Sequence, residues 1–288
     1  MRLPFRIRLH EPLEAGGDGR DLEWASRVRD ADGVVGLDFF AGVARQLGVS
    51  WLPSRGILAR LDELAHEGFD PSLVDPWVRE VYERTGSLSF HGLRIDYTWH
   101  GWLRQVAYRS ATGWSRQLDV PVRTGFFPRR MSSTVQIAHD TRQQPLFRGW
   151  LRRFERSERV FYGGLVSPIR RQGTPYLLVA LPIWGGNVSV RFLPTNWRDG
   201  GVRLRSHAPG DAESGMFVVL PSRSRARRPT YTEFPAFGLS DELRVWPDTD
   251  PTGHRVLRAR HIGRWFDRLS FELHYVLRPY TPDPRSET

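Results

Sequence analysis

The chain has 288 residues, a formal net charge of +10 and no cysteine, and all 42 of its Lys+Arg residues are arginine. These absences exclude disulfides, thiolate metal sites and a cysteine nucleophile, and equally a Schiff-base lysine, a phosphate-loop lysine and a lysine general base. A hydrophobic content of 40% belongs to an ordinary globular chain. No run approaches the roughly 18 to 20 apolar residues of a membrane span, and residues 1–12 have no continuous apolar stretch. A cytoplasmic protein without a leader or transmembrane segment is expected. The positive charge would attract anions, but acidic residues are interleaved along the whole length. Only RSRARR at 223–228, between Pro221 and Pro229, is a tight basic cluster, and the flanking prolines predict an exposed loop.

In chain order, residues 5–9 (FRIRL) alternate as a short edge strand would. Residues 36–47 place Phe39, Phe40, Val43 and Leu47 at helical spacing, with Gly48 as a stop. Ser54 could cap a second helix over Ile57, Leu58, Leu61 and Leu64. A third is marked by Asp75 at the N-cap, Pro76 at the first helical position and Gly86 past its end. From Leu88 the period changes to two. Leu93, Ile95, Tyr97 and Trp99 alternate with Arg94, Asp96, Thr98 and His100. Further strands are expected around Val135, at 160–166, at 176–184 turning through Gly185 and Gly186 into 188–193, and at 202–207, 216–220, 243–246 and 254–260. The last is the most regular: Leu269, Phe271, Leu273, Tyr275 and Leu277 lie on one face, Glu272 and His274 on the other. The tail at 281–288 should fray.

So many strands with few helices between them predict antiparallel pairing. The fold class read from the sequence is α+β. A mainly helical N-terminal segment, residues 1–87, precedes an antiparallel β-domain, residues 88–288, that forms a large curved sheet or partly closed barrel. The string VREVYERTG (78–86), leading into alternating strands and closing with SFELHYVLRP (270–279), resembles a family of bacterial proteins from high-GC genomes to which no activity is attached. At the level of fold the layout is also similar to START-type and lipocalin-like binders, which implies a ligand cavity. A START-type chain closes on a long helix, whereas this one closes on a strand.

There is no nucleophile elbow, zinc-protease helix motif, phosphate loop or dinucleotide-binding glycine pattern. The nine histidines have no metal-ligand spacing. No cofactor and no metal are expected. His274 shares a face with Glu272, either as a general base with an orienting carboxylate or as part of a solvated polar face. Arg94, Asp96 and His100 share the even-numbered face of their strand, in a cavity or on the surface according to which side is filled. His274, Glu272, Asp96 and His100 are thus the catalytic candidates. Arg94, Trp99, Trp184 and Trp246 are the ligand-binding candidates, because tryptophan suits both a thick core and a pocket. FRGWLRRFERSER (147–159) interleaves arginine with aromatics. It reads as single-strand nucleic-acid chemistry or as an exposed strand with snorkelling arginines. The expected function is binding of a bulky hydrophobic or acidic small molecule of lipid, polyketide or isoprenoid type in the β-domain. The alternatives are a cofactor-free cyclase, isomerase or hydrolase built on a His–carboxylate pair, and an arginine-mediated binder of nucleic acid or an acidic surface. The spread of charge makes nucleic acid the least expected partner. Oligomeric state leaves no signature in the sequence.

Overall fold

A computed structural model of the chain describes residues 25, 38–111, 124–127, 130–183, 185–221, 231–236 and 238–279. The expected edge strand at 5–9, the basic loop at 223–228, Trp184 and the tail at 281–288 lie outside the described residues. Fourteen strands are described: β1 (Ser50–Pro53), β2 (Leu88–Tyr97), β3 (Gly125–Phe127), β4 (Met131–His139), β5 (Pro145–Phe154), β6 (Val160–Arg171), β7 (Thr174–Ile183), β8 (Gly186–Trp197), β9 (Gly201–Arg205), β10 (Gly215–Pro221), β11 (Tyr231–Pro235), β12 (Leu239–Thr249), β13 (Arg255–Trp265) and β14 (Arg268–Pro279). All pairings are antiparallel, as short connections require. The order β4-β5-β6-β7-β8-β9-β12-β13-β14-β2 returns to β4 through Phe90 opposite Met131. The fold is therefore mostly β, a closed barrel of ten antiparallel strands. β1, β3 and the β10–β11 pair are attached outside that ring.

Closure fixes which side chains point inward. Val135 lies opposite Trp150, Ser133 opposite Arg152 and Met131 opposite Phe154. On the far wall Leu243 faces His261, and His261 faces Leu273. The inward set includes Phe90, Ile95, Leu177, Val179, Val190, Leu204, Val245, Ala259, Tyr275 and Leu277, all buried in one cluster. A second cluster covers the outer face of β4 to β7, where Phe39 and Val43 of helix α1 (Phe39–Leu47) meet Phe147, Leu151, Leu165 and Leu178.

One end of the barrel is plugged by residues 54–87. Helix α2 (Pro76–Glu83) begins as its sequence predicts: Asp75 accepts a hydrogen bond from the Trp77 N–H at 2.8 Å, with Pro76 at the first position. Such a cap stabilises a helix by about 1 kcal/mol. Asp75 also pairs with Arg255 at the start of β13, tying the plug to the rim.

Two expectations, one helix and one strand, need correction. The stretch from Ile57 to Leu64 is not an α-helix and holds only the 3-10 turn Leu61–Leu64. Its backbone N–H groups are used elsewhere: Leu58 donates to the Tyr82 carbonyl, Ile57 to the Thr85 hydroxyl and Leu61 to the Glu83 carboxylate. A Cβ at Gly56 would collide with the backbone of Tyr82 and Glu83. Backbone groups satisfied by α2 cannot also close helical turns, so residues 36–86 are less helical than their apolar spacing suggests. Conversely, β2 stops at Tyr97 and Trp99–Ala111 is helix α3. Thr98 caps it, its hydroxyl accepting from the Gly101 N–H at 3.3 Å. His100 thereby leaves the face of Arg94 and Asp96.

Candidate functional site

The barrel interior encloses a cavity of about 140 Å³. Its floor is the plug, contributing Ile57, Val81 and Tyr82, and its walls are apolar side chains from nearly every strand. A cavity of about 150 Å³ holds a benzene molecule, so this one accepts a compact occupant rather than a bulky one.

Into this apolar space β5 projects an arginine. Arg152 is 7% exposed, and among the described residues no carboxylate lies within ion-pair distance of it. Aromatic faces surround it instead. Its Cζ sits 3.7 Å from the Phe90 ring centroid, 4.5 Å from Trp150, 5.6 Å from Tyr275 and 6.0 Å from Tyr162. Cation–π contacts of this kind contribute on the order of 1–2 kcal/mol each when desolvated and offset part of the several kcal/mol that burying an ion costs. Burial accordingly pushes the guanidinium below its usual range, with Tyr275 and Tyr162 opposing it. Its Nε has no hydrogen-bond partner among the described residues. Neither has the Tyr82 hydroxyl, 1% exposed, in the floor of the same cavity. Burial alone raises the Tyr82 phenol far above its usual range, and that of Tyr275 up to about 12, so both remain protonated donors. The cavity thus gathers hydrogen-bond donors and one positive charge, and the carboxylate that lines it, Asp241, pairs with His261 and not with Arg152.

Toward the end opposite the plug, β12 and β13 supply Asp241 and His261, which also line the cavity. The His261 Nε2 lies 3.3 Å from the Asp241 Oδ1. The wall forks here. β8 pairs with β9 through residues 193–197 but with β10 through residues 187–191, and β9 follows β12 only over Val202–Arg205, opposite Glu242–Val245. Side chains of Asp241 and His261 are 17% and 24% exposed, so solvent reaches this end.

The residues singled out from the sequence lie elsewhere. Arg94, Asp96, Glu272 and His274 do come together, but on the outer face, in an open depression of about 530 Å³ that also takes in Phe126 and Arg258. The Arg94 Nε is 3.0 Å from Asp96, and the His274 Nε2 is 3.3 Å from Glu272 and 3.7 Å from Asp96. Glu272 also pairs with Arg260. The charges there neutralise one another in contact with solvent. His100 in α3 meets the Leu269 carbonyl at 2.9 Å. Trp99 is 76% exposed. Trp246 is on the outer face opposite Arg258, with the Arg198 Cζ 6.0 Å from its ring. None of these lines the cavity. Among the described residues no group of three or more His, Asp or Glu side chains could hold a metal ion, and no helix is long and apolar enough to cross a membrane.

The outer face carries its own electrostatics. Glu242, 4% exposed, is ringed by Arg203 at 3.0 Å, by Arg244 and by Arg264 at 3.5 Å. Burial raises its carboxyl, but the hydrogen bonds from Arg203 and Arg244 outweigh it and hold the group below the usual carboxylate range. A carboxyl lowered in the folded state stabilises fully above its unfolded value, near 4.5, and loses that contribution as pH falls through its folded value. Glu242→Gln should therefore lower urea midpoints at pH 7 and leave the protein less sensitive to acid below about pH 4.5. A variant whose acid transition matches the native one would remove Glu242 from the account.

Comparison with protein-family models, with curated proteins and with solved structures finds no match for this chain.

Proposed function

We propose that the barrel binds a compact apolar anion, a small aromatic or branched carboxylate, with its charged head at Arg152 and its apolar body against the barrel wall. The observation that carries this reading is Arg152 itself, a buried guanidinium with aromatic neighbours and no carboxylate partner, facing an apolar cavity. A buried charge without a counterion is costly, and a ligand carboxylate would supply the missing partner with charge-assisted hydrogen bonds. The Tyr82 hydroxyl, another buried donor without a partner, has the same need. A small-molecule reading with an acidic head is kept from the sequence. The size is set by the cavity, which favours a benzene-sized body over a lipid or polyketide.

Titration calorimetry with benzoate, benzamide and toluene tests the reading. Benzoate should bind at least about thirty-fold more tightly than benzamide, because only the anion pairs with the guanidinium, a contact of about 2–5 kcal/mol. Equal binding of the acid and the amide would show that the charge of Arg152 plays no part.

A further inference from the structure

We infer that His261 and Asp241 are an acid–base dyad that moves a proton on the anion held by Arg152, the substrate class being a compact 2-oxo acid. The inference rests on the binding reading above. Three observations carry it. The pair faces inward and lines the same cavity as Arg152, whereas Glu242 and Glu272 pair with arginines on the outer face. Its geometry is fixed: the Asp241 N–H donates to the Ser206 hydroxyl at 2.7 Å, the Ser206 N–H donates to the Asp241 carbonyl at 2.9 Å, and the His261 ring meets the Phe271 ring edge-on at 5.5 Å. It also stands where the wall forks and solvent reaches the cavity, so protons can be exchanged with water.

The chemistry follows from the contact between the Asp241 carboxylate and His261 Nε2, 3.3 Å apart. A carboxylate at this distance from Nε2 favours the tautomer protonated there, in which Nδ1 carries the lone pair, and Nδ1 has no partner among the described residues. With the substrate carboxylate at Arg152, Nδ1 removes a proton from the carbon next to the keto group. The C–H electron pair becomes the enolate C=C, and the carbonyl π pair moves to oxygen. Tyr162, half-buried in the same wall and kept protonated by burial, donates a hydrogen bond to that oxygen. Asp241 stabilises the imidazolium, which then returns a proton to the same carbon or to the oxygen. No electron leaves or enters, and no co-reactant is consumed. His261 is the catalytic residue and Asp241 a positioning residue.

The test uses 3-methyl-2-oxobutanoate in D₂O, with loss of its C3–H signal followed by proton NMR. The native protein should accelerate exchange over buffer. General acid–base catalysis contributes about 10²–10⁴-fold, so His261→Gln should lower the rate at least about 100-fold while the probe still binds by calorimetry. Asp241→Asn should lower it less and shift its pH profile, which a merely structural aspartate would not do. Binding without exchange in the native protein, or native exchange in His261→Gln, overturns the inference and leaves the binding reading standing. Failure of the native protein to bind this probe while it binds benzoate overturns the substrate class. Failure to bind either anion overturns the binding reading and the inference together.

Discussion

Arg152→Met should weaken benzoate binding by thirty-fold or more and make the empty protein more stable. The two effects have one origin. The guanidinium is desolvated inside the barrel among aromatic faces and the Tyr275 hydroxyl, with no carboxylate to pair with among the described residues. Replacing a buried charged group by an apolar side chain of similar length is often neutral or stabilising by about 1–4 kcal/mol. A methionine fills the same space and accepts the same neighbours without the desolvation cost, but it cannot meet an anion. Urea midpoints and calorimetry on the same preparation report both quantities. A loss of about 3–5 kcal/mol in stability would mean that the arginine holds the barrel together through a partner, and would remove its standing as a ligand group.

Leu277→Ala should be the most destabilising single truncation in the closing strand. Leu277 is fully buried, lies opposite Phe90 and Leu257, and lines the cavity. Truncation of such a leucine costs about 2–5 kcal/mol, a large share of the roughly 5–15 kcal/mol that holds a typical domain. It also enlarges the cavity, so 2-naphthoate should bind the variant better than the native protein relative to benzoate. Phe271→Ala should cost less. Phe271 sits half-buried at the solvent-reached end, packed on Gly263 and beside Tyr97 and His261. His274→Ala, on the outer face with a 38% exposed side chain, should change stability by no more than about 1 kcal/mol. Similar losses for Leu277 and His274 would contradict the assignment of inner and outer faces.

That assignment shows what the sequence makes legible. Alternation in the closing strand separates Leu273, Tyr275 and Leu277 from Glu272 and His274, and the structure buries the first three. Leu269 is 37% exposed, because a bulge after Gly263 shifts the register near the strand's start. Alternation cannot say that the apolar face is concave and closes on itself. That depends on Phe90 reaching Met131 across 41 positions of chain, a non-local pairing. The helix caps at Asp75 and Gly48 are local and were readable, whereas Ile57 to Leu64 mimic a helix because their backbone partners are supplied by α2.

The candidate site was harder to read for a specific reason. Trp150, Arg152 and Phe154 occupy alternate positions in β5, a charged residue between two large aromatics on one face. That pattern was visible within residues 147–159, but arginines on both faces of the segment, Arg148 and Arg152 on one and Arg153 on the other, obscure it. Snorkelling, the ordinary explanation, holds for exposed arginines and fails for one whose neighbours close over its head. Asp241 and His261 come from different strands, and only the β12–β13 register places them together. Arg94 and Asp96 share a face of one strand and Glu272 and His274 a face of another, as parity suggests, and the β2–β14 register brings the two pairs together on the side of the sheet that faces out.

A crystal of the native protein soaked with 4-chlorobenzoate shows whether an anion sits on Arg152 inside the barrel. Difference density is expected within the cavity, with the carboxylate at hydrogen-bond distance from the Arg152 guanidinium and the chlorinated ring against the apolar wall. Ligand density confined to the outer depression at Arg94 and Arg258, with the barrel interior unchanged, would contradict it.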